Sequence, residues 1–135
     1  MYALKMIVPA ALLSLGLLGS ITNTAQAADR YALLEIHNRT DAVINFQIKF
    51  GDGAWQDTYV APGESVGIYA GFSYPGSYDH DPIHIRFDDD MTSAHHWREI
   101  FPYVSYAPDI DYSRAQQYYF DYDGSTGRYI ELFYL

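Results

Sequence analysis

The stretch that decides the fold is residues 42–50, AVINFQIKF, in which apolar and polar side chains alternate. Successive side chains of a β-strand point to opposite faces, so this period of two predicts a strand with one face in the core and the other mostly in water. The predicted core face consists of Ala42, Ile44, Phe46, Ile48 and Phe50. This segment therefore favours a β-structure.

The same type of signal continues on both sides of this strand, as short runs rich in Val, Ile, Tyr and Phe between Gly, Pro and Asp turns. Gly51-Asp52-Gly53 predicts a hairpin to residues 54–60, and Ala61-Pro62-Gly63-Glu64 fits a type II turn. Further strands are predicted at 31–37, 65–70, 83–87, 103–107, 117–123 and 128–135. Seven or eight short strands at this spacing predict an all-β fold, and we prefer a small antiparallel β-sandwich to a small barrel.

Residues 92–101 fit two structures, a short helix capped by Thr92 or an irregular strand stopped by Pro102. Residues 71–81 contain two Gly, one Pro and several Tyr and Asp, and are predicted to form a long loop. The chain shows no internal repeat, linker or low-complexity tract. We therefore predict a single domain.

Residues 1–27 have the layout of a cleaved signal peptide. Lys5 precedes an apolar run from Met6 to Gly19, and a polar stretch then leads to Ala25-Gln26-Ala27. The run is too short, with the wrong flanks, for a membrane anchor. We expect a mature domain of residues 28–135 without a membrane span, secreted or periplasmic, and the form of the leader favours a bacterial source.

The charge balance is strongly acidic, with 17 Asp and Glu against 8 Lys and Arg and a formal net charge of −9. Such a chain repels nucleic acid and anionic membranes, and suits cations or neutral ligands better. Cysteine is absent, which excludes thiol chemistry and disulfides. The aromatic residues, 14 Tyr, 7 Phe and 2 Trp, can compensate for the missing disulfides because each buries a large area. The sequence does not decide between monomer and dimer, and an unpaired sheet edge could form a dimer.

The aromatic residues give the main functional prediction, because they are too many for one small core. An exposed ring can stack on the apolar face of a sugar while carboxylate and amide oxygens bind its hydroxyls. Tyr and Trp also anchor protein partners, and strand tyrosines often need no ligand. We predict a non-catalytic module that binds a glycan or an envelope or extracellular protein. Its candidate ligand-binding residues are Phe72, Tyr74, Tyr78 and Trp97.

Clustered acidic residues in the predicted loops suggest an alternative, a structural module stabilised by calcium. Ca²⁺ takes six to eight oxygen ligands, often from irregular loops. Acidic loops also serve solubility, and the EF-hand spacing is missing. The candidate metal ligands are Asp79, Asp81, Asp88, Asp89 and Asp90.

Other chemistry has little support in the sequence. The five histidines could bind zinc or copper but follow no zinc-binding motif. No serine lies in a Gly-x-Ser-x-Gly elbow, so a small hydrolase is the least favoured function and no enzyme is expected. Asn38-Arg39-Thr40 matches the N-glycosylation pattern, which also fits a simple turn.

Overall fold

The computed structural model describes residues 27–92 and 95–135, together with the backbone of residues 4–7. Its strands are β1 (Leu4–Ile7), β2 (Tyr31–Asn38), β3 (Ile44–Phe50), β4 (Gln56–Val60), β5 (Ser65–Gly71), β6 (Ile83–Asp88), β7 (Trp97–Ile100), β8 (Ser105–Ala107), β9 (Gln116–Tyr122) and β10 (Ile130–Tyr134). A short 3-10 helix spans Tyr112–Arg114. The predicted all-β fold is confirmed.

Most of the predicted leader lies outside the described residues, so its cleavage stays a prediction. Only β1 and Ala27 of that segment are described. Within the described part of the chain, no helix is both long and apolar enough to cross a membrane.

Two sheets pack face to face as a sandwich. The six-stranded sheet has the order β1-β5-β2-β9-β10, with β8 also paired to β2, and the four-stranded sheet has the order β4-β3-β6-β7. All strand pairs are antiparallel except β2 and β9, which run parallel with Leu34 opposite Gln116. This parallel pair was not predicted. It arises because β8 runs antiparallel to β2, and the chain reverses through the 3-10 helix before β9 joins the second half of β2.

The core lies between the sheets and follows the alternation of the sequence. The predicted inward residues of β3, from Ile44 to Phe50, are all buried, and β6 buries Ile83, Ile85 and Phe87 in the same way. The ring of Phe120 packs against Phe87 at 5.2 Å between ring centroids. Burying such side chains contributes about 1.5–3 kcal/mol each, so the core can hold the sandwich without disulfides.

The ambiguous segment 92–101 contains a strand, so the helix alternative is wrong over residues 97–100. β7 pairs with the outer edge of β6, with Asp88 opposite Trp97 and Ile85 opposite Ile100. Local sequence could not decide this, because the free edge of β6 supplies the hydrogen bonds that stabilise the extended chain.

Asn38 joins the two sheets. Its side chain is fully buried, and Nδ2 donates to the carbonyls of Ala42 at 2.7 Å and Val60 at 2.9 Å. Its Oδ1 accepts from the backbone N and the hydroxyl of Thr40. The amide nitrogen of the predicted sequon is therefore committed to a structural turn in the folded chain.

Candidate functional site

The two sheets present different outer faces. In the six-stranded sheet, Leu33 and Tyr69 are buried beneath the segment 107–115, with the ring of Tyr112 lying over Gly67. In the four-stranded sheet, the outward side chains stay exposed or half-buried on all four strands. We call the outer face of the four-stranded sheet the bare face, because it is open along all four strands. The six-stranded sheet is covered over β2 and β5 but has half-buried or exposed outward side chains on β9 and β10.

A row of polar side chains crosses the middle of this bare face. Strand register places Asp57, Gln47, Arg86 and Glu99 side by side on four neighbouring strands. Gln47 Nε2 donates to Asp57 Oδ1 at 2.6 Å, and Arg86 Nε donates to Gln47 Oε1 at 2.6 Å. These hydrogen bonds fix the orientation of the first three side chains, and His84 Nδ1 lies 3.3 Å from Glu99 Oε2 at the end of the row.

Aromatic rings flank the polar row on both sides. The guanidinium carbon of Arg86 lies 4.3 Å from the ring centroid of Trp55 and 5.2 Å from that of Trp97. Two further rings are well exposed, Tyr59 at 56% and Phe101 at 69%. We call the polar row together with Trp55, Tyr59, Trp97 and Phe101 the aromatic face. Cation–π contacts of this kind contribute roughly 0.5–1 kcal/mol at exposed sites and hold both tryptophans near the centre.

The aromatic face extends in two directions, across the four strands and along them. Neighbouring strands lie about 4.8 Å apart, so the four strands span roughly 14 Å. Trp97 and Phe101 are four residues apart in sequence, which corresponds to roughly 13 Å along an extended chain. A surface of this shape suits an extended ligand lying across it.

The predicted loop residues form a separate cluster at the connection between β5 and β6. The rings of Phe72 and Tyr78 lie 5.2 Å apart, and both contact Tyr106, while His80 stacks on Phe72 at 5.6 Å. Tyr74 belongs to the same connection and is 68% exposed. We call residues 72–80 with Tyr106 the aromatic loop.

Tyr78 has an unusual backbone in this loop, with φ at +56°. A bulky side chain rarely adopts this left-handed conformation. Its hydroxyl donates to Asp29 Oδ2 at 2.9 Å, and this hydrogen bond raises the pKa of Tyr78. Gly76 also donates its N–H to the carbonyl of Asp29. The first residues after the predicted leader therefore hold the aromatic loop in place.

The four predicted ligand-binding residues thus fall on two surfaces. Phe72, Tyr74 and Tyr78 lie on the aromatic loop, whereas Trp97 lies on the aromatic face. Sequence reasoning missed Trp55, Tyr59, Arg86 and Phe101 as members of a site. The alternation within 83–87 predicts that Arg86 points outward, but only strand register reveals what lies beside it.

The aspartate triplet 88–90 is engaged by neighbouring side chains. His95 Nδ1 lies 2.9 Å from Asp88 Oδ2, and His96 Nδ1 lies 2.8 Å from Asp89 Oδ1. Arg128 Nη2 donates to Asp90 Oδ2 at 2.9 Å. The Arg128 guanidinium, helped by hydrogen bonds from Thr92, holds the pKa of Asp90 well below its usual range.

The other two predicted metal ligands lie elsewhere. Asp79 Oδ2 accepts from the Ser73 hydroxyl at 2.9 Å, and the side chain of Asp81 lies beside Gly51. Over residues 27–92 and 95–135, no group of three or more His, Cys, Asp or Glu is arranged to hold a metal ion. The calcium hypothesis gains no geometric support from this part of the chain.

An open groove of about 620 Å³ lies near the turns after β2 and β4. Glu64 is the only carboxylate side chain among its lining residues, which are His37, Asn38, Arg39, Thr40, Gly63, Glu64 and Leu135. Glycoside hydrolysis needs two carboxyl groups flanking one bond. This groove does not provide that pair.

Comparison with known proteins gives no assignment, since no family model, curated protein or solved structure matches the chain significantly. The function must be argued from the geometry of the described residues.

Proposed function

We propose that the chain is an exported, non-catalytic module that recognises a glycan through its aromatic face. The observation that carries the proposal is the combination of four large aromatic side chains with an ordered polar row on a bare sheet face. The packed core positions the site residues of β3, β4 and β6, because they alternate with core residues on those strands.

The chemistry of a sugar matches both parts of this face. The apolar side of a pyranose ring packs on an exposed aromatic ring, and its hydroxyls donate to carboxylate and amide oxygens. Asp57, Gln47 and Glu99 supply those oxygens in one row. Because the row is already ordered by hydrogen bonds, binding loses less side-chain entropy. The acidic net charge favours a neutral glycan over an anionic one.

A protein partner is the second candidate, and one observation favours it. The Arg86 guanidinium lies over the rings of both Trp55 and Trp97, and Trp and Arg are enriched among the residues that dominate protein–protein binding energy. The polar row argues for the glycan, because charged residues are depleted at the core of protein interfaces.

The test uses the protein purified from the periplasm or the medium, screened on a glycan array and then titrated by calorimetry. We expect Trp97→Ala to weaken binding at least about 10-fold, since it removes one stacking ring. Tyr74→Ala is the matched control, because Tyr74 is also an exposed aromatic but lies on the aromatic loop. It should bind like the unaltered protein.

Three outcomes would change the assignment. Equal glycan binding by Trp97→Ala and the unaltered protein would exclude the aromatic face as the glycan-binding site. Loss of binding in Tyr74→Ala and Tyr78→Ala would move the site to the aromatic loop. A silent array, together with an envelope protein captured by the unaltered chain and not by Trp97→Ala, would establish the protein-binding alternative.

The proposed location is tested separately. N-terminal sequencing of the exported protein should begin at Ala28, as the predicted cleavage site requires. Recovery of the chain only from the cytoplasm would contradict export. Glycan binding by the aromatic face would still be tested by the array and calorimetry.

A further inference from the structure

The outer edge of β5 is occupied by a strand from the predicted leader. The backbone of β1 pairs antiparallel with β5, from Leu4 opposite Ala70 to Ile7 opposite Gly67. Cleavage after residue 27 would remove β1 and leave this edge open. An open edge presents a row of unpaired N–H and C=O groups, which can pair with another chain.

The direction of the β5 amides follows from hydrogen bonds at its two ends. Asn38 N donates to Glu64 O, and Phe72 N donates to Arg30 O, so the even-numbered positions face β2. The register between β2 and β5 is continuous, and backbone groups alternate along a strand. The amides of Gly67 and Tyr69 therefore face the outer edge.

This edge lacks the features that usually protect sheet edges. Proteins block free edges with charged residues, proline or bulges. β4 carries Asp57, β7 carries Arg98 and Glu99, and β10 carries Glu131. β5 has the sequence SVGIYAG, with neither a charge nor a proline.

We propose that export vacates the outer edge of β5, and that this edge then accepts an extended, mainly apolar strand of an envelope or secreted protein in antiparallel register. The short strand β1 seated there shows the geometry of the occupant. The uncharged sequence of β5 favours an apolar strand, and main-chain hydrogen bonds supply the affinity in this mode of recognition. The inference rests on the predicted leader and does not depend on the aromatic face, which lies on the other sheet.

The test measures amide hydrogen exchange in the exported protein with and without a synthetic peptide of residues 1–10, MYALKMIVPA. The peptide should slow exchange at Gly67 and Tyr69 at least about 10-fold, because their N–H groups then pair with the added strand. Ile68 and Ala70 serve as internal references, since their amides already face β2.

Two altered peptides give a matched control. In the observed register the N–H of Ile7 faces β5, whereas that of Met6 faces away. The Met6→Pro peptide should still protect Gly67 and Tyr69, and the Ile7→Pro peptide should not.

The proposal is overturned if none of the peptides slows exchange at Gly67 and Tyr69, if both altered peptides act equally, or if the exported protein retains residues 1–27. Repeating the measurement on Trp97→Ala separates the two proposals. Peptide protection should persist in that variant whether or not it has lost a glycan.

Discussion

The outer faces of the two sheets differ, because β2 and β5 are buried on both faces along most of their length whereas β3 and β6 alternate. On the six-stranded sheet, Tyr112 lies over Gly67 and the segment around it buries Leu33 and Tyr69. On the four-stranded sheet, the Arg86 guanidinium lies over the rings of Trp55 and Trp97, of which Trp97 is exposed and Trp55 is half-buried. The difference separates a surface that buries apolar side chains from a surface whose side chains reach solvent, and the second is the one proposed to bind a glycan.

The covered face also contains a polar group that is buried at an energetic cost. The hydroxyl of Tyr112 is buried and, within the described part of the chain, has no hydrogen-bond partner. A buried unpaired polar group costs roughly 1–3 kcal/mol. The ring stays in place because the area that it covers outweighs this cost. We therefore expect substitutions on the covered face to change mainly stability, and substitutions on the bare face to change mainly binding.

The largest loss is expected for Asn38→Ala, at the junction on which both faces depend. The change removes the Nδ2 donor to the carbonyls of Ala42 and Val60, and it removes the Oδ1 acceptor of Thr40 in a buried site. We expect the free energy of unfolding to fall by about 4 kcal/mol. Urea denaturation measures this loss, and a cost below about 1 kcal/mol would show that the sheets are joined by other contacts.

The next loss is expected for Gly67→Ala, which breaks the covered face alone. An added Cβ would lie 2.4 Å from Tyr112 Cζ, so the ring must move and uncover its surface. The expected cost is about 3 kcal/mol in urea denaturation, combining overpacking with lost burial. The double variant Gly67→Ala/Tyr112→Ala should cost clearly less than the sum of the single changes. If the losses of the two single variants simply added, direct contact between position 67 and the Tyr112 ring would be contradicted.

Alkaline pH should also act on the covered face. Burial raises the pKa of Tyr112, with the charges of Tyr69 and Glu35 adding to the effect. The pKa of Tyr112 in the folded protein therefore lies above the unfolded value of about 10. The part of the free energy of unfolding that depends on a neutral Tyr112 is full below pH 10 and is lost as the pH rises through the folded pKa. Since the ring is half-buried, we expect at most about 1 kcal/mol per pH unit. Melting temperatures measured above pH 10 test this. If the melting temperature of Tyr112→Phe fell with rising pH as steeply as that of the unaltered protein, the effect would not come from Tyr112.

A smaller and opposite effect is expected for Tyr112→Phe at neutral pH. The substitution removes the unpartnered hydroxyl and keeps the ring over Gly67. Stability should rise by about 1 kcal/mol, because a desolvated polar group disappears. Thermal or urea denaturation measures the gain. A loss of stability would mean that the hydroxyl has a partner in solution, such as a bound water.

The smallest effect on stability is expected for Trp97→Ala on the bare face. Trp97 is half-exposed, and its contact with Arg86 is shared with Trp55. The cost should stay below about 1 kcal/mol in urea denaturation, although binding should weaken strongly. A cost above about 2 kcal/mol would make Trp97 a structural residue and weaken the assignment of the aromatic face.

Much of the fold could be predicted from local patterns. The alternation of residues 42–50 and the glycine turn after it predicted β3 and its hairpin with β4, and the structure confirms both. The strands at Ser65–Gly71 and Ile83–Asp88 are confirmed in the same way. The parallel pairing of β2 with β9 was not predicted, since it joins segments about 80 residues apart.

The site was predicted only in part. Phe72 and Tyr78 were expected to act together and do lie in contact. Trp97 was placed with them but belongs to the other surface, because its neighbours are set by the pairing of β7 with β6. The aspartates at 79 and 81 and those at 88–90 were grouped by composition, whereas Ser73, His95, His96 and Arg128 engage them separately.

The sequence by itself determined the all-β fold, the inward face of each clear strand and the absence of disulfides. These properties are local, because a period of two and a glycine turn act within a few residues. Only the tertiary structure decided which outer face is covered and which aromatic rings meet. Those outcomes depend on strand register and on distant segments, such as Tyr112 over Gly67, which no local pattern encodes.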